Sequence, residues 1–192
     1  AAGVACAAAL LTIHWPAVRL RAVDRFTWSH DLAVDLLTPL PRRALLLVAG
    51  DLDTFAVWHR QAVDREREDV LAVNAILLRH RWYRAQVAAA TGVDELPGAP
   101  DGPAAVALLA RRVARPWFSV PIEFEGVPRE WRRTPFHLAF RLSPRPAAAV
   151  PPRRLRWRGT LARAAKLPEP HAELAVGFMG EALANLGAAR AR

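Results

Sequence analysis

Two short, continuous apolar segments on either side of an amphipathic helix constrain the fold of this chain more than any other feature. The first covers residues 44–49 (ALLLVA) and is followed directly by Gly50, and the second covers residues 70–78 (VLAVNAILL). Continuous apolar runs bounded by turn residues are typical of strands that are covered on both faces. A strand, a helix and a second strand at this spacing form a βαβ unit, whose strands are parallel and whose crossover is right-handed.

Further helices and strands extend this unit on both sides. Apolar side chains recur at helical spacing in segments that begin near Ser29, Asp53, His80 and Pro103. Strict apolar alternation predicts strands over residues 118–124 and 138–142, and residues 125–135 between them are predicted to form a loop. We therefore expect an α/β domain over residues 19–144, with a mostly parallel sheet of about four strands and flanking helices.

The start of the chain is apolar and uncharged over residues 1–13, and it continues into Trp15 and three arginines. A helix needs about 20 apolar residues to span a bilayer, so this stretch is too short to cross alone. A signal peptide would carry its positive charges before the apolar run and not after it. We interpret residues 1–18 as the end of a transmembrane helix with Trp15 at interface depth, and an ordinary buried helix is the alternative.

The end of the chain divides into two further segments. Residues 145–168 are rich in Pro and Arg without a period, which predicts a linker. In residues 169–192, apolar side chains recur every four residues, at Leu174, Phe178, Ala182 and Leu186. This spacing predicts a helix, and the segment resembles the opening helix of a tetratricopeptide-type repeat.

Composition excludes several classes of function. The formal net charge is +9 and the mean hydropathy is +0.07, but the basic residues are spread over the whole chain. Phosphate recognition needs clustered basic side chains, so we expect no nucleic-acid partner. Cys6 is the only cysteine and makes no disulfide within the chain, and the six histidines lack the spacing of metal ligands. This excludes a structural zinc site, and we assign no metal ligand and expect no cofactor.

Candidate site residues follow the first predicted strand, where ligands bind in open α/β sheets. Asp51 and Asp53, in the sequence GDLDT, have the chemistry to hold a divalent ion or to accept hydrogen bonds from sugar hydroxyls. Asp53 or Thr54 is equally typical of a helix cap. Trp58 and Trp82 are candidates for stacking on a sugar ring, although aromatic side chains at helical spacing usually belong to the core.

A hydrolase is the main alternative interpretation of this turn. Haloacid-dehalogenase-like phosphatases carry Asp-x-Asp-x-Thr after an apolar strand, but Thr54 falls one position too early for that pattern. The lysine and acidic pair that would position phosphate do not follow in the sequence. A metal-dependent phosphatase-like hydrolase that uses Asp51 and Asp53, and a protein-interaction module, remain the two alternatives.

The sequence over residues 40–87 resembles the region that follows the membrane spans in protein O-mannosyltransferase-like glycosyltransferases. This family includes the plexin-type O-mannosyltransferase of animals and bacterial relatives. Its pattern is a strand, the motif GDNDTFPLWY, a short helix, Arg-x-Asp-Val, a strand that ends in Asn, and a Trp-Tyr pair. The matching positions are Gly50, Asp51, Asp53, Thr54, Phe55, Trp58, Gln61, Arg67, Asp69, Val70, Val73, Asn74, Leu77, Leu78, Trp82 and Tyr83. Residues 115–120 and 138–144 also agree, and the departures are Leu52 for Asn, Ala56 for Pro and His59 for Tyr.

The resemblance implies a GT-C-type glycosyltransferase, which moves a sugar, mannose in the animal relative, from a lipid-phosphate donor to protein acceptors. In that family the catalytic acid or base lies in a loop among the early membrane helices, so no catalytic residue is expected in this chain. The resemblance implies a domain attached to its own membrane-embedded half on the extracytoplasmic, periplasmic side. Arginines that follow a span are more typical of the cytoplasmic side, so the sequence leaves the orientation open.

Overall fold

The computed structural model describes residues 2–20, 27–113, 116–119, 127–128, 130–145, 147–150 and 155–156, with positions 177, 180 and 184. Five α-helices lie in these ranges: α1 (Ala2–Leu20), α2 (Trp28–Leu37), α3 (Asp51–Ala62), α4 (Arg81–Thr91) and α5 (Gly102–Arg112). The strands there are β1 (Leu45–Val48), β2 (Leu71–Asn74), β3 (Pro116–Ser119), β4 (Arg132–Phe136) and β5 (Ala139–Ser143). Two short 3₁₀ helices, Leu77–Arg79 and Leu96–Gly98, connect them.

The strands form one sheet in the order β2-β1-β3-β5-β4. β1 pairs in parallel with β2 and with β3, which confirms the parallel βαβ unit. β5 is antiparallel to both β3 and β4. The α/β class is confirmed, but the expectation of a mostly parallel sheet is wrong, because the sheet is mixed. The described residues contain five strands, where about four were expected.

The hairpin of β4 and β5 accounts for this difference. His137 has a positive φ of 53° in the tight turn between the two strands, so β5 returns beside β4 without a crossover helix and is antiparallel. β4 begins with the exposed Arg132 and Arg133, and only then come the buried Thr134 and Pro135. Its sequence therefore lacks the apolar alternation that identifies a strand. The strand predicted over residues 118–124 overlaps β3 at residues 118–119, and its residues 120–124 lie outside the described residues.

Helices cover both faces of β1. Leu46 and Val48 pack with the apolar side chains of α2 and α3, whereas Leu45 and Leu47 pack with those of α4 and α5. All four side chains are almost fully buried, and each burial contributes about 1.5–3 kcal/mol. The continuous apolar run thus forms the central strand of a three-layer arrangement, as expected for a strand covered on both faces.

Both predicted helices on the second face of the sheet are confirmed, and their ends follow from local chemistry. Gly92, with φ of 71°, takes the left-handed conformation that ends α4. Asp101 caps α5, since its Oδ1 accepts a hydrogen bond of 2.7 Å from the backbone nitrogen of Ala104.

The apolar start of the chain forms α1, and its described side chains are exposed, among them Val4 at 76% and Ile13 at 70%. No helix within the described ranges combines the length and the apolarity that crossing a bilayer requires. The assignment of residues 1–18 to the end of a transmembrane helix stays a prediction.

The segment expected to be a linker touches the domain at two described points. Val150 forms a parallel bridge with Phe136, and its backbone nitrogen donates to the carbonyl of Pro135 at 2.9 Å. The backbone nitrogen of Arg156 donates to Asp35 Oδ2 at 2.8 Å. The tetratricopeptide-like helix predicted over residues 169–192 lies outside the described residues, apart from the helical positions 177, 180 and 184.

Candidate functional site

Asp53 lies at the junction of β1, α3 and β3, and its side chain is fully buried. Oδ1 accepts hydrogen bonds from the backbone nitrogens of Gly50 and Thr54, both at 2.8 Å. Oδ2 accepts one from the backbone nitrogen of Ala49 at 3.1 Å and another from the Ser119 hydroxyl. Burial raises the pKa of the Asp53 carboxyl, and these hydrogen bonds act against that shift. Because both oxygens are occupied inside the fold, Asp53 holds the strand ends together.

Thr54 continues this arrangement toward β2. Its Oγ1 accepts a hydrogen bond of 3.0 Å from Asn74 Nδ2, and Asn74 Oδ1 in turn accepts one of 3.0 Å from the backbone nitrogen of Leu77. The backbone nitrogen of Asn74 donates to the Tyr83 hydroxyl oxygen at 2.9 Å. Burial also raises the pKa of the Tyr83 phenol. The four side chains from Asp53 to Tyr83 therefore form one buried polar network at the carboxyl ends of β1 and β2.

The outer edge of β2, which pairs with no other described strand, is covered by side chains of α3 and α4. The odd-numbered positions of β2 bond to β1, so the polar backbone groups of the even-numbered positions point away from the sheet. Gln61 Nε2 donates to the carbonyl of Val70 at 2.7 Å, and Trp58 Nε1 donates to the carbonyl of Ala72 at 3.4 Å. Asn74 bonds to Tyr83, as described above. An exposed strand edge invites pairing with other chains, and these side chains prevent it.

Arg67 fastens the loop before β2 to the end of α2. Its Nε donates to Asp69 Oδ1 at 2.8 Å, and its Nη2 donates to Asp69 Oδ2 at 3.2 Å. The same guanidinium donates to the backbone carbonyls of Leu37, Thr38, Leu40 and Pro41. The hydrogen bond from Arg67 lowers the pKa of the Asp69 carboxyl to about 2. Only the planar fork of an arginine serves so many acceptors at once.

An open groove of about 850 Å³ lies between the start of α2 and the exposed face of α3. Its α3 side carries Asp51, Phe55, Trp58 and His59, and its α2 side carries Trp28, Ser29 and His30. The rings of Phe55 and Trp58 meet edge to face, with centroids 6.2 Å apart, and Phe55 is 60% exposed. The groove thus combines aromatic surface with a few polar groups, as ligand sites commonly do.

A charged cluster closes one side of the groove. Arg60 Nη1 donates to His30 Nε2 at 2.5 Å and to Asp64 Oδ2 at 2.8 Å, and Arg60 Nη2 pairs with Glu66 Oε2 at 2.6 Å. His30 Nε2 therefore acts as an acceptor, which leaves Nδ1 to carry the proton toward Asp31 Oδ1 at 3.4 Å. The arginine is held by its carboxylate partners, and the histidine orients it at the groove wall.

The five candidate residues from the sequence occupy three different environments. Asp51 and Trp58 line the groove together, whereas Asp53 and Thr54 are buried in the polar network. Trp82 lies in the first turn of α4, is 57% exposed, and is absent from the groove lining.

The two carboxylates of the acidic turn do not form a chelate. Asp51 and Asp53 are two residues apart on α3, so the helix turns their side chains apart by about 200°. Asp51 faces solvent and Asp53 faces the core. Within the described ranges, no three His, Cys, Asp or Glu side chains come together as potential metal ligands.

Sequence reasoning missed three residues that lie beside these candidates. Ser119 binds Asp53 because β3 pairs in parallel with β1, which brings the carboxyl ends of both strands to one edge. Trp28 and His30 reach the groove because α2 packs beside α3. A polar residue at the end of an apolar strand was a usable signal for Ser119, whereas the helix pairing has no local signal.

One comparison with known proteins gives a match. Residues 29–95 match the model of a protein family described as TMEM260-associated domain 2. No curated protein and no solved structure matches the chain. The matched range begins at Ser29, one residue into α2, and extends past the end of α4. It contains the groove lining except Trp28, the side chains that cover the outer edge of β2, and the polar network from Asp53 to Tyr83. Ser119, which binds Asp53, lies outside it. Over these residues the chain is therefore similar to a domain associated with TMEM260.

Proposed function

We propose that this chain is a non-catalytic extracytoplasmic domain of a membrane glycosyltransferase, which transfers a mannose-like sugar from a lipid-phosphate donor to protein. The match of residues 29–95 to TMEM260-associated domain 2 carries this proposal, since TMEM260 is a protein O-mannosyltransferase. The motif over residues 40–87, which lies within the matched range, agrees with it.

The geometry of the acidic turn supports a non-catalytic role. Asp53 and Thr54, which a hydrolase would need at its reacting centre, are buried and already hydrogen-bonded within the fold. A magnesium-dependent phosphatase would require Asp51 and Asp53 to share a metal ion, and the two side chains point in different directions. The sugar transfer is accordingly assigned to the membrane-embedded half of the proposed enzyme.

The groove between α2 and α3 is the proposed contact with the acceptor protein. Phe55 and Trp58 offer aromatic surface, and Asp51 offers an exposed carboxylate at its edge. Interfaces concentrate their binding energy on a few aromatic side chains of this kind. The domain would then position the acceptor beside the catalytic loop, with α1 leading toward the membrane.

The test uses the full protein that contains this chain, assayed in membranes with a lipid-linked mannose donor and an acceptor protein. Asp51→Asn and Phe55→Ala should each raise the KM for the acceptor by about tenfold and leave kcat nearly unchanged, because they remove binding and no chemistry. Val63→Ala is the matched control, since Val63 is equally exposed just beyond the end of α3.

Three results would contradict the proposal. A loss of kcat at constant KM in Asp51→Asn would make this residue part of the chemistry. The reading frame before Ala1 gives a second check: a series of apolar spans there supports a membrane enzyme, and a start codon close to Ala1 opposes one. If the variants alter binding to a partner protein without any sugar transfer by the full protein, the chain is an interaction module.

A further inference from the structure

The connection from β2 into α4 carries an exposed basic and aromatic surface that the groove does not use. It comprises Ile76, Arg79, His80, Arg81 and Trp82, and we call it the basic corner. Ile76 is 47% exposed and Trp82 is 57% exposed, although both are large apolar residues. All three basic side chains of the corner are exposed as well.

Three side chains of the basic corner contact one another in sequence order. Arg79 Nε donates to His80 Nε2 at 3.2 Å, and the rings of His80 and Trp82 stack with centroids 6.2 Å apart and an angle of 20° between their planes. The corner thus links the Arg79 guanidinium to the Trp82 indole through His80. Arg81 stands between His80 and Trp82 in the sequence, and Ile76 lies one short helical turn before Arg79.

Positive charge at the basic corner is not neutralised locally. Residues 70–93 contain no Asp or Glu. In the part of the chain that the structure describes, neither Arg79 nor Arg81 forms an ion pair with a carboxylate. Asp101 precedes the Gly102 that packs on Arg79, and it caps α5 without an ion pair to Arg79 or Arg81 among the described residues.

We propose that the basic corner docks on the anionic surface of a lipid bilayer. Arginines at such a surface are attracted by anionic headgroups, and tryptophan prefers the boundary between headgroups and acyl chains. Ile76 adds apolar surface that has no function in phosphate recognition, so the combination favours a bilayer over a nucleic acid. The inference deepens the proposed function, on which it rests, by naming the surface with which the domain meets its membrane.

The test measures co-sedimentation of the purified chain with vesicles of phosphatidylcholine, with and without added phosphatidylglycerol. Arg79→Gln and Arg81→Gln should each weaken binding to the anionic vesicles about fivefold and should not affect binding to pure phosphatidylcholine. Trp82→Ala should weaken binding to both kinds of vesicle. Raised salt should reduce the difference between the two vesicles, because it screens the arginines.

Arg111→Gln is the matched control, because it removes the same charge from an exposed arginine at the end of α5 that is distant from Gly102. It should bind the anionic vesicles as the parent chain does. An equal loss in Arg111→Gln would mean that only net charge matters, and it would overturn the proposal. Unchanged binding after combined substitution of Arg79, Arg81 and Trp82 would assign the contact to α1 instead.

Tighter binding to a single-stranded oligonucleotide than to the anionic vesicles would also overturn the proposal, in favour of a nucleic-acid partner. Vesicle binding is measured without sugar transfer, so the two proposals fail separately. If vesicle binding depends on Arg81 and Trp82 but no spans precede Ala1, the glycosyltransferase proposal fails and the membrane-contact proposal stands. If the full protein transfers sugar but its basic corner does not bind anionic lipid, the membrane-contact proposal fails and the glycosyltransferase proposal stands.

Discussion

The Ser119 hydroxyl donates a hydrogen bond to Asp53 Oδ2 across 66 positions of the chain, and this bond ties the end of β3 to the first turn of α3. Three backbone nitrogens donate to the same carboxylate. A carboxylate that accepts hydrogen bonds from four donors has a structural role, which explains why Asp53 stands at this position of the sequence GDLDT.

Asp53→Asn should destabilise the domain by about 1–3 kcal/mol at neutral pH. An asparagine has one acceptor oxygen in place of two, so its amide nitrogen would face another donor, the backbone nitrogen of Ala49 or the Ser119 hydroxyl. Urea denaturation followed by circular dichroism measures the change. Asp51→Asn is the control, because Asp51 is exposed and should leave the midpoint nearly unaltered. Equal effects of the two substitutions would contradict the assignment.

The sequence predicted the part of this fold that local patterns specify. Gly92 ends α4 because the left-handed conformation favours glycine, and the apolar run of β1 identifies a strand covered on both faces. The sequence predicted a loop where β4 begins, because the first residues of this strand, Arg132 and Arg133, are exposed and charged. β4 pairs with β5 through the turn at His137, and β5 pairs with the edge of β3 that β1 does not occupy. No local sequence pattern specifies these two pairings.

The candidate site was predictable in position but not in role. Sequence alone places Asp51 and Asp53 together after β1, where the carboxyl ends of the strands meet. Their opposite orientations depend on α3 beginning at Asp51, which is a boundary that sequence patterns locate poorly. Trp82 shares the motif with Trp58, yet the crossing of α4 over the other face of the sheet gives it a different surface.

Asp69→Asn should reduce the acid sensitivity of the domain. The hydrogen bond from Arg67 lowers the pKa of Asp69 from 3.8 to about 2, so the pair stabilises the fold above the unfolded pKa and loses this contribution as the pH falls toward 2. With about a quarter of each side chain exposed, we expect roughly 1 kcal/mol. Thermal unfolding between pH 5 and about 2 should show a shallower decline in the variant than in the parent chain.

The comparison with the parent chain is needed because the pKa shift of Asp53 makes stability change with pH in the opposite direction. Burial raises the pKa of that carboxyl, so its contribution is full below the unfolded pKa and is lost as the pH rises through the folded pKa. The Asp53 contribution is the same in the parent chain and in Asp69→Asn, so it cancels when the stabilities of the two proteins are subtracted. Parallel unfolding curves at all pH values would exclude a stabilising pair between Arg67 and Asp69.

Gln61→Ala should both destabilise the domain and increase its self-association. Gln61 Nε2 donates to the carbonyls of Arg67 and Val70, at 2.9 and 2.7 Å, so its removal leaves two acceptors without that partner and costs about 1–3 kcal/mol. It also uncovers the outer edge of β2, which favours pairing between chains. Sedimentation velocity at several concentrations measures the association. Gln86→Ala, an exposed change on α4, should behave as the parent chain, and a Gln61→Ala variant that does the same would refute the edge-covering role.

Thr54→Val and Tyr83→Phe should be energetically coupled, because each removes one acceptor from Asn74. Thr54 Oγ1 accepts from Asn74 Nδ2, and the Tyr83 hydroxyl accepts from the Asn74 backbone nitrogen. Each substitution alone should lower the free energy of unfolding by about 1–3 kcal/mol. The loss in the double variant should be smaller than the sum of the single losses by at least about 0.5 kcal/mol, because Asn74 is free to shift once either bond is lost. Thr54→Val with Thr91→Val is the control cycle, since among the described residues Thr91 bonds only to the backbone of Val87 and Val93 at the end of α4, away from Asn74. This pair should be additive. Additivity of Thr54→Val and Tyr83→Phe, measured by the same urea denaturation, would mean that the strand ends of β1 and β2 are held independently and that Asn74 does not connect them.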